Sequence, residues 1–144
     1  MKIEIFATEF DPWHWAKAYQ EEINLTGKFG ATTVFIGTMR DMNEGDHVES
    51  MWLEHYAGMT EKHLEKIANQ AIAHYGLHDV AIAHRIGEIK PNDSIVCVVV
   101  WSSHRKEAYE ANRMIMEDLK SQAPFWKKEQ IEKGDRWVEK NTPG

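Results

Sequence analysis

One domain of mixed helix and strand, running from residue 1 to residue 144, is what this sequence predicts, and three observations carry that prediction. Leu64, Ile67, Ala68, Ala71, Ile72 and Tyr75 recur at the i, i+3, i+4 spacing of a helix that lays one apolar face on a sheet. Ala31 to Ile36 and Ser94 to Trp101 are dense in β-branched and aromatic residues, the second run apolar enough to be buried on both faces. Between Asp79 to Lys90, read as a strand, and the Ser94 run stands Pro91-Asn92-Asp93, turn chemistry that closes an antiparallel hairpin.

Taken in order, Ile3 and Ile5 alternate with polar residues in a short opening strand. Asp11-Pro12 fits an N-cap followed by proline at the first helical position, which opens a helix from about Trp13 to Ile23. Trp13, His14 and Trp15 are read as a helix start packed on the core. The Ala31 strand ends in Gly37-Thr38-Met39-Arg40, where backbone N–H groups and a guanidinium can converge on an anion. By itself that motif is unspecific. Asp41 to His47 reads as a polar, mobile loop. Val48 to Tyr56 resumes a strand, Gly58-Met59-Thr60 leads into the Leu64 helix, and Gly76 ends it. His74 and His78 do not predict a metal site, because Gly76 breaks the helical spacing between them and no cysteine lies near.

After the Ser94 strand, Ser102-Ser103-His104-Arg105 leads into a helix from about Lys106 to Ala123, with Ala108, Ala111, Ile115 and Leu119 on one face. Two readings of that junction stand side by side: a phosphate seat at a helix N-terminus, and a serine cap with a solvated arginine. Pro124 stops the helix and biases Ala123 toward extended backbone, so Lys120 before it and Lys127 after it need not share one solvated face. Each is either a solvated lysine favoured by the helix dipole, or a cation next to apolar rings with a lowered pKa or a bound anion. Lys127 to Ile131, a Lys133-Gly134-Asp135 turn and Arg136 to Glu139 read as a closing hairpin with Trp137 packed inward. Trp126 is read either as an aromatic face for a ligand or as a packed core residue.

Composition sets limits on function. The net charge is −6, and cations and carboxylates nearly balance from Trp101 to Arg136, which argues against nucleic-acid binding through a basic surface. No segment approaches the apolar length of a membrane span and no signal-like N-terminus is present, so a cytoplasmic chain is expected. The one cysteine, Cys97, lies within an apolar run and reads as an inert buried thiol.

The stretches HRIGEIKPNDSIVCVVVWSSHRKEAYEANRMIMEDLK and APFWKKE, together with GTMR and GDRW, resemble the catalytic large subunit of molybdopterin synthase. The resemblance covers about Ala31 to Val138, and the order and spacing of SxHR, LK and PFWKKE are specific. Tyr109 stands where the family often has phenylalanine. The opening helix and the Asp41 to His47 loop show little match, which leaves the role of that loop open.

The resemblance implies an α+β fold of the α/β-hammerhead type, with a mixed and antiparallel sheet covered by helices. It implies a homodimer in which each chain also grips a small ubiquitin-like sulfur-carrier subunit, giving a heterotetramer. The implied reaction converts cyclic pyranopterin monophosphate to molybdopterin, with two sulfurs taken in turn from the thiocarboxylated Gly-Gly terminus of the small subunit. Pro143-Gly144 is not such a terminus, so this chain is expected to accept the donor tail. No cofactor and no metal are implied. Lys120 and Lys127 are the implied catalytic residues, and Thr38, Met39, Arg40, His104, Arg105, Lys128 and Glu129 join them in binding substrate.

His104 and Lys120 stand sixteen positions apart on one predicted helix, about 24 Å at ~1.5 Å per residue. If both touch one substrate, the site is composite across two copies of the chain. Two other classes of reading are a phosphometabolite-binding module that transfers nothing, and a Schiff-base enzyme with Lys120 as the amine.

Overall fold

The computed structural model describes residues 1–131 and 134–138. Its elements are β1 (Lys2–Phe6), α1 (Pro12–Ile23), β2 (Ala31–Thr38), β3 (Met42–Asn43), β4 (Asp46–His55) and α2 (Met59–Tyr75). They continue with β5 (Asp79–Arg85), β6 (Gly87–Ile89), β7 (Ser94–Ser102), α3 (Arg105–Gln122), β8 (Phe125–Ile131) and β9 (Gly134–Trp137). The expected helices form where their punctuation places them. Asp11 Oδ1 accepts the N–H groups of Trp13 and His14 at 3.0 and 3.2 Å. Gly76 closes α2 in the left-handed region at φ 63°, and α3 stops at Gln122 with Ala123 extended ahead of Pro124.

A four-stranded sheet runs in the order β1-β5-β7-β2, with β1 parallel to β5 and the other pairs antiparallel. Side-chain alternation explains how its two central strands are covered on both faces. Val80 and Ile82 of β5 and Val96, Val98 and Val100 of β7 face α2 and α3, meeting Leu64, Ile67, Ile115 and Leu119. Ala81, Ala83, Cys97, Val99 and Trp101 face the other way, against Trp15, Ala16 and Tyr19 of α1. Small residues on β5 make room there for three large rings. The second sheet runs β3-β4-β8-β9 with β6 on β4, and Met39, Val48, Met51, Leu53 and Ile89 form its buried side. The described residues therefore make an α+β fold with mixed and antiparallel sheets. None of their helices is long and apolar enough to cross a membrane.

Four expectations are corrected. Asp79 to Lys90 is two strands, because Gly87 turns the chain at φ 83° and hands β6 to the second sheet while β5 stays in the first. Asp41 to His47 is a short hairpin, with Met42 opposite His47 and Asn43 opposite Asp46. Trp13 is 66% and Trp137 57% exposed; of the aromatic pair on α1, only Trp15 packs inward. The closing hairpin forms from β8 and β9. Lys133 of the expected turn, Glu139 and the Pro143-Gly144 end lie outside the described residues.

α3 is tied to the sheet by a buried polar side chain. Asn112 Nδ2 donates to Thr33 O, Thr33 Oγ1 and Val98 O at 3.3, 3.2 and 3.1 Å, and Thr33 Oγ1 donates to Ala108 O at 2.8 Å. Nothing in helical periodicity singles out Asn112. Replacing it by alanine strips buried carbonyls of their donor, so Asn112→Ala is expected to lower unfolding free energy by about 1–3 kcal/mol in chemical denaturation. An unchanged midpoint would show that α3 is held by its apolar face alone.

Candidate active site

Pro124 brings two lysines together by turning the chain. Lys120 sits in the last turn of α3, and β8 starts at Phe125, antiparallel to β4. Along β8 the side chains alternate. Phe125, Lys127 and Glu129 stand opposite His55, Leu53 and Met51 on the inner side, whereas Trp126, Lys128 and Gln130 stand opposite Glu54, Trp52 and Ser50 on the outer side. Lys120, Lys127 and Glu129 line a cleft of about 490 Å³ where the two sheets meet, together with residues 35–40 and with Met42, Asn43, Met51 and Val96. Gly37 matters to its shape: a Cβ there would come within 2.7 Å of Val96 Cγ1.

The two lysines are electrostatically coupled. Burial pushes Lys120 down to about 8, and the charge of Lys127 and a side-chain hydrogen bond with it push the same way. Beneath them lies His84, fully enclosed, its ring stacked on Phe125 at 3.9 Å. Its Nδ1 is 2.7 Å from Arg85 O, and since a carbonyl only accepts, Nδ1 carries the proton. Burial holds this imidazole down to about 3 against the opposing pull of that bond, and Lys120, Lys127 and His55 add to the depression. A neutral ring is thus placed next to a cationic cleft.

Glu129 is 3% exposed, and its Oε1 accepts from Asn43 Nδ2 at 2.6 Å. Its Oε2 lies 3.7 Å from Arg136 Nη2. Cys97 faces away from the cleft, under α1, and burial pushes its thiol up to about 12. Among the described residues no group of three or more His, Cys, Asp or Glu side chains is arranged to hold a metal.

The sequence-derived candidates separate into three places. Thr38, Met39, Arg40, Lys120, Lys127 and Glu129 line the cleft, with Met39 6% exposed and also part of the apolar cluster beneath it. Lys128 does not: it lies on the outer face, 3.2 Å from Asp135 and over the Trp137 ring. Trp126 shares that face, its ring edge-on to Tyr56 at 4.5 Å. Alternation in FWKKE is the signal that separates Lys128 from its neighbours. His104 and Arg105 are exposed at the opposite end of α3, where His104 itself is the extended cap residue and Ser103 Oγ is 2.9 Å from His78 Nε2. Periodicity pointed to neither Asn43 nor His84, since both lie far from the lysines in sequence.

Fold and cleft define an α+β protein whose cations converge on an anion-sized hollow between two sheets. A family model described as "MoaE protein" matches residues 8–122. A molybdopterin synthase catalytic subunit of Pasteurella multocida is 54% identical over 110 residues, 76% of this chain and 73% of that protein. The crystal structure of molybdopterin synthase from Staphylococcus aureus superposes with a TM-score of 0.83 at 33% identity, covering 94% of this chain and 95% of that one. A complex of subunits 1 and 2 of the molybdopterin-converting factor from Helicobacter pylori gives 0.79 at 26% identity, covering 97% of this chain and 92% of that one. The chain belongs to the MoaE family.

The neutral His84 makes stability depend on pH. The unfolded chain takes up a proton below about 6.5 that the folded chain refuses until about 3, so stability falls as pH drops through that window. His84→Phe, which keeps a ring against Phe125, is expected to lose less stability between pH 7 and pH 4 than the wild type, by a few kcal/mol in denaturant titrations. Equal losses in the two proteins would rule out this titration.

Proposed function

We propose that the cleft transfers sulfur to a cyclic pyranopterin monophosphate, taking each sulfur from the thiocarboxylated C-terminus of a small ubiquitin-like partner subunit. The family assignment makes the chain a molybdopterin synthase catalytic subunit, an enzyme of molybdenum cofactor biosynthesis. The observation that carries the detailed reading is the coupled pair Lys120–Lys127 at the cleft wall, one member driven toward neutral pH, with Arg40 on the same cleft. The Helicobacter pylori complex of subunits 1 and 2 supports a second, small subunit as partner.

In this reading the donor's thiocarboxylate sulfur is the nucleophile, so the chain supplies cations and no thiolate of its own. Sulfur bonds to a pterin carbon, joining donor and substrate through a thioester. Lys120, as the ammonium, neutralises charge developing on the acyl oxygen or delivers a proton to the reacting centre. Opening of the cyclic phosphate leaves an oxyanion that Lys127 and Arg40 compensate. Water then takes the acyl group, the acyl–sulfur bond breaks, and a carboxylate tail departs while sulfur stays on the pterin. A second loaded donor attacks the adjacent carbon, whose own oxygen leaves as water, and the same hydrolysis of the acyl–sulfur bond leaves the second sulfur there. His104 and Arg105 reach the same substrate from the other copy in a homodimer, which with two small subunits makes a heterotetramer working in the cytoplasm.

Reconstitution tests this directly: purified chain, thiocarboxylated small subunit and cyclic pyranopterin monophosphate, with mass spectrometry of the pterin. A gain of two sulfurs is expected, and Lys120→Ala should slow it by about 10²–10³-fold. Binding without sulfur gain, beside a demonstrably active donor, would leave a phosphometabolite-binding module.

Because the ammonium form of Lys120 does the work, the wild-type rate should fall as pH rises through about 8. In Lys120→Arg that limb should move out of the accessible range, and its persistence would assign the titration to another group. Mixing Lys120→Ala with Arg105→Ala chains should restore part of the activity. Failure after verified subunit exchange would dismiss the composite site.

A further inference from the structure

The hairpin between Met42 and Asp46 has little to hold it in its own sequence. Two residue pairs and one further backbone bond, Val48 N–H to Asp41 O at 2.6 Å, make up its ladder, and its tip residues Glu44 and Gly45 both have positive φ, 53° and 79°. A two-residue turn of this kind favours Asn-Gly or Asp-Gly, and a glutamate at the first position is strained. Isolated hairpins are marginal in water even when their turns are well chosen.

Its support comes from the other end of the chain. Arg136 on β9 donates from Nη1 to Asp46 Oδ2 at 2.7 Å and from Nη2 to Asn43 O at 2.8 Å. The same Nη1 lies 3.5 Å from Glu44 Oε2, so one guanidinium reaches three successive parts of the hairpin. On the cleft side, Asn43 Nδ2 donates to Glu129 Oε1 at 2.6 Å, and Arg136 Nη2 lies 3.7 Å from Glu129 Oε2. Met42, Asn43 and Glu129 all line the cleft that Lys120 and Lys127 share. The network therefore does two things at once. It fixes a wall of the cleft, and it gives the buried Glu129 carboxylate a hydrogen-bond donor and a cation.

We propose that Arg136 is a positioning residue which, with Asn43 and Glu129, holds the 42–46 hairpin as a fixed wall of the substrate cleft and thereby sets how tightly the cleft grips its anionic substrate. For the identity of that substrate the proposal rests on the sulfur-transfer reading above.

The test pairs hydrogen exchange of the backbone amides in residues 42–47 with steady-state kinetics, in the full chain supplied with thiocarboxylated small subunit and pterin. In Arg136→Leu, exchange in the hairpin should quicken by about tenfold or more, and KM for the pterin should rise by about tenfold while kcat stays within about threefold. Arg136→Lys, which keeps the charge but not the fork, should recover part of both effects. Asn43→Ala removes only the bond to Glu129 and carries the same test if Arg136→Leu fails to fold. Unchanged exchange overturns the proposal, as does faster exchange with an unchanged KM, or a loss confined to kcat. A wild-type chain that transfers no sulfur from an active donor would overturn the sulfur-transfer reading instead. The hairpin's role would then be decided by the exchange data and by calorimetric pterin affinity in the same variants, where equal affinities would overturn it.

Discussion

Everything in this fold depends on β7 being covered on both faces and paired on both edges. A strand that presents valines to one side and Cys97, Val99 and Trp101 to the other cannot lie against water, so helices must close over it from both directions. β5 and β2 satisfy its backbone groups on either edge. That arrangement fixes α3 on the valine side, and the Asn112 bonds to Thr33 and Val98 then fix the helix along its length. Lys120 occupies its place because α3 is held in this way.

The site's electrostatics follow from that placement. Burial alone disfavours the ammonium of Lys120, and Lys127 arriving from β8 disfavours it further. An exposed pair of lysines would be screened by water and would titrate near their ordinary values. Here the folding free energy of the two sheets keeps Lys120 and Lys127 close together in a water-poor setting. The neutral His84 beneath the pair adds no third charge. Glu129 is engaged by Asn43 and Arg136 at the cleft wall.

The sequence's local signals gave reliable limits to the helices, because caps, glycines and prolines act within a few residues. Asp11-Pro12, Gly76 and Pro124 each end or begin a helix where expected. The same signals misled where one strand serves two sheets. Asp79 to Lys90 has the composition of a single strand, but the chain turns at Gly87 and residues 87–89 pair with β4. Polar composition made Asp41 to His47 look like a loop, whereas its order comes from Arg136, some ninety residues away in the chain. Trp137 looked like core, yet β9 is an edge strand whose outer face meets solvent and the Lys128 side chain.

Sequence alone determined the element types, most of their boundaries, the double-sided burial of Ser94 to Trp101, and the candidate cations at Arg40, Lys120 and Lys127, because propensity, periodicity and turn chemistry are local properties. Tertiary structure alone decided which of those cations share a cleft, why Lys120 titrates early, and which side of the alternating β8 strand faces in. Those outcomes depend on distances between segments far apart in the chain and on how water is excluded between them. No local pattern encodes either quantity.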